Sequence, residues 1–229
     1  DLTLQNITLD GRNLDTSNID YYTLSNNSGT VSIETTTIYA KTGELGTKKA
    51  FAFDVDKTAN VTVKSGTFCG DIAMTASTGS FEVQGGTFDD ICCVDFLSDN
   101  ASISIGKDIV LISPVIIKKT LTLDLNGHSI TADASFGGTE SGLFAVLSGG
   151  KLTINDSAGN GRISAGSVEK AYAAVVIKGT DSTLVVNGGT LEGYYYGISG
   201  NGIAANGGTI ITINDGLIKG LCATDNLGI

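Results

Sequence analysis

One recurring phrase constrains the fold of this chain more than any other feature. It is a short alternating apolar run, then Asn, Ser or Gln, then glycine, then another short apolar step. It reads TLVVNGGTLEG at Thr183–Gly193 and returns as VTVKSGTFCG from Val61, FEVQGGTFDD from Phe81, KLTINDSAGNG from Lys151 and TIITINDGLIKG from Thr209. Apolar residues at every second position lie on one side of an extended strand, and Gly, Asn, Asp or Ser closes each run as a turn. The remaining runs (LTLQNITL, VSIETTTIYA, AFAFDV, LTLDL) follow the same rule. Helical periodicity is hard to find, so the expected fold is all-β.

The spacing of the phrase selects among all-β architectures. Aligning its copies sets Gly66 on Gly86, Leu152 on Leu184 and Gly193 on Gly220, at intervals that differ from copy to copy. A sandwich or barrel has no need for similar turns, whereas a solenoid stacks the same corner on the one below and tolerates insertions between. Coils of about 20 to 27 residues suit a right-handed single-stranded parallel β-helix with three short strands per coil. About nine or ten such coils fit the 229 residues. The expected organisation is one continuous β-helix over 1–229, with a repeat-block boundary near 97–105 that separates a first block, 1–100, from a second, 101–229. Leu121, Leu123, Leu125, Leu184, Val186, Ile211 and Ile213 are the expected inward positions.

In this frame the glycine pair Gly188 and Gly189 turns the chain at a corner, because glycine reaches positive φ without steric cost. Asn155, Asn187 and Asn214 take the same place in three successive coils, and Asn126 does so more loosely. Side-chain amides stacked in this way form a ladder, each donating to the next. The phrase therefore reads as a scaffold joint.

Composition removes several function classes. Net charge is −10 with only 14 Lys plus Arg, so a basic face for nucleic acid is not expected. No apolar run approaches the roughly 20 residues that a membrane-spanning helix needs, and membrane insertion by a helix is not expected. An acidic, Gly- and Thr-rich, Lys-poor surface suits an extracellular or cell-surface setting. The four cysteines, Cys69, Cys92, Cys93 and Cys222, match no zinc spacing. They read as small apolar filler, with a bridge from Cys69 to Cys92 or Cys93 as the alternative.

The segment DIVLISPVIIKKTLTLDLNGHSITAD, Asp108 to Asp133, resembles the opening coils of pectate-lyase-like right-handed β-helix repeats in secreted bacterial surface proteins. LTLQNITLDG, Leu2 to Gly11, is similar to coils of the same superfamily. The GGTF phrases and VNGGTLEGYYYGISGNG from Val186 resemble adhesin-like proteins of gut Firmicutes and related bacteria. The resemblance covers most of the chain, most clearly 101–229. It implies the fold, and it implies lyase, hydrolase, adhesin or spike activity without choosing among them.

Each implied chemistry has residues to be tested. Lyases of this fold need an Arg or Lys base near acids that hold calcium; the arginines are Arg12 and Arg162 alone, and Lys118 and Lys119 lie on an expected strand near Asp124. Hydrolases of the fold resemble one another in an NTD, DD, GHG, RIK series, for which this chain offers Asp89 and Asp90, then His128, then Arg162, with the first element missing. Asp54 and Asp56 share a strand face and are the calcium candidates, so no cofactor is expected beyond a possible calcium ion. Tyr194, Tyr195 and Tyr196 are candidates for stacking on a glycan, or for closing a coil against its neighbours. Asn6, Asn26, Asn60 and Asn100 begin N-x-S/T sequons, which arise by chance in a chain this rich in Asn and Thr.

The resulting expectation is a non-catalytic β-helix segment of a secreted or surface-anchored bacterial protein, an adhesin-like stalk or glycan-binding surface. Its partners would be a glycan or a host or cell-surface ligand. A polysaccharide-active enzyme is the first alternative. The second is a structural subunit that stacks end to end, since the sequence begins within a strand phrase and ends at LCATDNLGI without an expected cap: either a leader or further chain has been removed, or copies pair at their edges.

Overall fold

Period-two alternation gives short strands, and the closing residues give corners between them. The computed structural model describes residues 1–13, 21–40, 50–74, 79–200 and 208–222. The chain divides into two compact units, Asp1–Gly106 and Lys107–Ile229. Among the described residues the regular structure is β, apart from one turn of 3-10 helix at Cys92–Phe96.

The first unit contains β1 (Leu2–Gln5), β2 (Thr8–Asp10), β3 (Tyr21–Glu34), β4 (Thr36–Tyr39), β5 (Ala50–Val63), β6 (Gly66–Cys69), β7 (Asp71–Met74), β8 (Ser80–Phe88) and β9 (Leu97–Ile105). Their pairings are parallel. One column of register partners runs Leu4, Ile33, Val63, Val83. A second runs Leu9, Ile38, Phe68, Phe88. The first half of β3 pairs with the first half of β5, which pairs with β7. β3 therefore serves two ladders, with a register shift between Asn26 and Ser28 where it passes from one to the other. Phe68 and Phe88 stack with ring centroids 4.8 Å apart, the spacing of neighbouring strands.

The second unit contains β10 (Ile109–Leu111), β11 (Val115–Ile117), β12 (Thr120–Asp124), β13 (Ser129–Ala132), β14 (Gly142–Val146), β15 (Lys151–Asn155), β16 (Arg162–Ser164), β17 (Ala173–Ile177), β18 (Thr183–Gly193), β19 (Tyr196–Gly200) and β20 (Ile210–Gly220). These fall into three parallel ladders. In the first, Leu121, Leu152, Leu184 and Ile211 are successive partners. In the second the column is Ile109, Ile130, Ile163, Leu191, Ile218. In the third it is Val115, Phe144, Val175, Ile198. The chain visits the ladders in fixed order, and β18 and β20 each serve two of them.

The interval between register partners varies more widely than the phrase alone suggested, from the short step between Val83 and Leu97 to the long one between Ile130 and Ile163. The excess sits in corner insertions such as Asp156–Gly161. The alternating residues of the columns form the core: Leu121, Leu123, Leu152, Ile154, Leu184 and Val186 are at most 1% exposed. Each such side chain contributes about 1.5–3 kcal/mol relative to exposure. Ile213, expected inward, is 38% exposed, because among the described strands β20 is covered by β18 on one side only.

Candidate functional site

The amide ladder lies at the exit of the first ladder of strands. The Asn187 side-chain amide donates to Asn155 Oδ1 at 2.9 Å, and the Asn214 amide donates to Asn187 Oδ1 at 2.7 Å. The position below Asn155 belongs to Asp124, its register partner, rather than to Asn126. Asp124 Oδ1 accepts the backbone N–H groups of Asn126 and Ser157, both at 2.9 Å. Burial pushes its carboxyl up, but the bonds from Ser157 and Asn126 outweigh that and hold it below the usual carboxylate range. Asp156 accepts from the N–H groups of Gly127 and Gly161, each at 2.7 Å, so two carboxylates staple adjacent corners. Of the glycine pair, Gly189 carries the left-handed backbone at φ 81°, and Gly188 does not. A Cβ on Gly189 would also press on Leu125 at 2.9 Å.

The hydrolase-like series is divided between the units. Asp89 and Asp90 lie just after β8 in the first unit, where Asp90 Oδ1 accepts the N–H of Ile91 at 2.6 Å. His128 and Arg162 lie in the second unit on neighbouring strand entries, joined by an Arg162 N–H bond to the His128 carbonyl at 3.0 Å. His128 Nδ1 is 3.6 Å from Asp108 Oδ1, with the histidine half-buried and the aspartate exposed. Arg12 pairs with Asp10 through two hydrogen bonds, at 2.8 and 2.6 Å, and lies over the Tyr39 ring at 4.4 Å. That guanidinium holds the Asp10 carboxyl down at about 2. Lys118 and Lys119 fall in the corner between β11 and β12, off the strand where they were expected.

Asp54 is buried in β5 and accepts a hydrogen bond from Ser25 at 3.1 Å. The Asp56 side chain lies outside what the structure describes, as do those of Cys92 and Cys93. Cys69 ends β6 half-buried, and Cys222 is half-buried beyond β20. Among the described residues, no three His, Cys, Asp or Glu side chains gather in a way that could hold a metal ion.

The tyrosines form a packed ring cluster with Tyr172 at its exposed edge. Tyr194 and Tyr195 occupy the bend between β18 and β19, and Tyr196 opens β19. The run is a corner, so its side chains do not alternate as they would on a strand, and all three are half-buried. Because Ala173 is the partner of Tyr196, the preceding residue, Tyr172, falls beside Tyr195. Their ring centroids are 5.0 Å apart, and Tyr194 meets Tyr195 edge-on at 4.9 Å. The Tyr195 hydroxyl donates to Glu169 Oε1 at 3.1 Å. That bond pushes the phenol up to about 12, so it remains a donor at neutral pH. Sequence reading missed Tyr172 and Glu169. The register interval from Tyr172 to Tyr195, which would have revealed the pair, is one that no copy of the phrase displays.

A second missed group crosses three partners of the second ladder, Ser164, Glu192 and Lys219. The Ser164 hydroxyl donates to Glu192 Oε2 at 2.7 Å, and Lys219 Nζ lies 2.6 Å from Glu192 Oε1. Burial pushes the Glu192 carboxyl up, yet the bonds from Lys219 and Ser164 and the charges of Lys219 and Arg162 prevail and hold it low. Such a carboxylate is fully engaged and ill suited to proton transfer. No protein-family profile, curated protein or solved structure matches this chain.

Proposed function

We propose that each unit is a right-handed parallel β-helix and that the chain serves as a non-catalytic stalk of a secreted or surface-anchored bacterial protein, adhesin-like, with a glycan-binding surface. Three ladders visited in fixed order support the helical path, with columns four or five partners deep in the second unit and a third ladder three strands deep in the first. Its hand follows from the strong right-handed preference of crossovers between parallel strands.

The observation that carries the functional reading is what the acids do. Asp90, Asp108, Asp124, Asp133 and Asp156 each accept backbone N–H groups, and Glu140 and Glu192 pair with Lys178 and Lys219. Carboxylates engaged in this way are poorly placed to shuttle protons or attack a glycosidic bond. The test is incubation with a panel of neutral and acidic polysaccharides, with and without calcium, read by reducing ends and by unsaturated products. No product is expected; turnover of any polymer would overturn the stalk reading.

A further inference from the structure

We infer that the corner formed by Tyr172, Tyr194, Tyr195 and Glu169 is a carbohydrate-binding site and that it takes neutral saccharides. This gives the stalk reading a ligand and rests on it. Three features carry the inference. The first is exposure: Tyr172 is 44% exposed at the rim of a cluster whose other rings are half-buried.

The second is preorganisation. Tyr195 is held by its backbone N–H bond to the Tyr172 carbonyl at 2.9 Å and by its hydroxyl bond to Glu169. It packs against Tyr172 with the ring planes tilted by 35° and edge-on against Tyr194, so a ligand meets rings whose rotamers are already restricted. Rings packed at 5.0 and 4.9 Å leave no room for insertion between them, and a ligand must lie against their open side.

The third is chemistry. A pyranose has a C–H face that packs on an aromatic ring and a hydroxyl rim that needs acceptors. Glu169 offers one: Oε1 takes the Tyr195 hydroxyl, and among the described residues Oε2 has no partner. The same carboxylate meets a uronate with like charge, which selects against acidic chains. Lys170 is the exposed cation next to it in sequence, so the acidic arm of the test is needed.

Tryptophan is absent and the chain has 7 Tyr, so intrinsic fluorescence reports tyrosines directly. The full chain is titrated with cellohexaose, xylohexaose, mannohexaose and galactohexaose, and separately with hexagalacturonate, in the wild type and in Tyr172→Ala, Tyr172→Phe, Tyr194→Ala and Glu169→Gln. Circular dichroism establishes that each variant is folded. At least one neutral hexasaccharide should give a saturable change, weakened about tenfold by Tyr172→Ala and Tyr194→Ala and retained by Tyr172→Phe, since stacking needs the ring alone. Hexagalacturonate should leave the wild type unchanged and gain affinity in Glu169→Gln. The inference is overturned if no neutral hexasaccharide perturbs the signal, if folded Tyr172→Ala binds as tightly as the wild type, or if hexagalacturonate matches the best neutral probe. New reducing ends in these samples would count against the stalk and leave the tyrosine result standing by itself.

Discussion

At the scale of single residues, polar groups that look functional in the sequence are used to hold corners. Asn187 takes part in two side-chain hydrogen bonds, and Asp124 and Asp156 tie neighbouring corners together by accepting the backbone N–H groups of Ser157 and Gly127. The two glycines of the phrase are unequal. Gly189 has positive φ and a Cβ there would press on Leu125, so Gly189→Ala should destabilise the protein by about 1–3 kcal/mol in urea denaturation. Gly188→Ala should stay within about 0.5 kcal/mol, since its nearest neighbours lie at ordinary contact distance. Equal effects at the two positions would contradict the assignment of the turn to Gly189.

Glu192 gives a pH prediction at the same scale. Its folded carboxyl titrates below the ordinary 4.5, so the charged form is favoured by folding. Its contribution is complete above pH 4.5 and is lost as the pH falls through the lower, folded value. Glu192→Gln should therefore cost about 2 kcal/mol near neutrality. The gap between variant and wild type in thermal denaturation should close in acid. A gap that widened below pH 4.5 would reverse the sign of the argument.

At the scale of elements, the strands are held by columns of like residues. Phe144 is fully buried between its partners Val115 and Val175 in the third ladder. Phe144→Ala leaves a cavity that two flanking strands cannot close, and it should cost about 3–5 kcal/mol in chemical denaturation. This level was largely legible beforehand. The alignments of Leu152 with Leu184 and Gly193 with Gly220 coincide with register pairs. They do so because a repeated phrase sets the same position of each copy on the one below.

What was hidden from the sequence depends on the lengths of insertions. The step from Tyr172 to Tyr195, that from Ser164 to Glu192 and that from Glu192 to Lys219 are all of different length. No local pattern announces which residues such spacings bring together. Asn126 stands outside the ladder because it lies two residues past the position that pairs with Asn155, which Asp124 occupies. Nothing in the run YYY marks the bend that Tyr194 and Tyr195 occupy.

At the scale of the whole molecule, each unit is a set of parallel ladders whose corners are fixed by amides, carboxylates and glycine. The open aromatic cluster sits at a corner of the second unit. Such an arrangement makes stability a sum of neighbour contacts, and it leaves corners free to vary in length and chemistry. The central claim is the stacking order itself, and leucine methyl contacts test it most directly. In a sample with labelled leucine and isoleucine methyl groups, nuclear Overhauser spectra should connect Leu152 to both Leu121 and Leu184, and Leu184 to Ile211. Leu121 and Leu184, two partners apart at about 10 Å, should show at most a weak contact. Absence of the Leu152–Leu184 contact, or a Leu121–Leu184 contact as strong as either neighbouring one, would contradict the register and the stacked fold built on it.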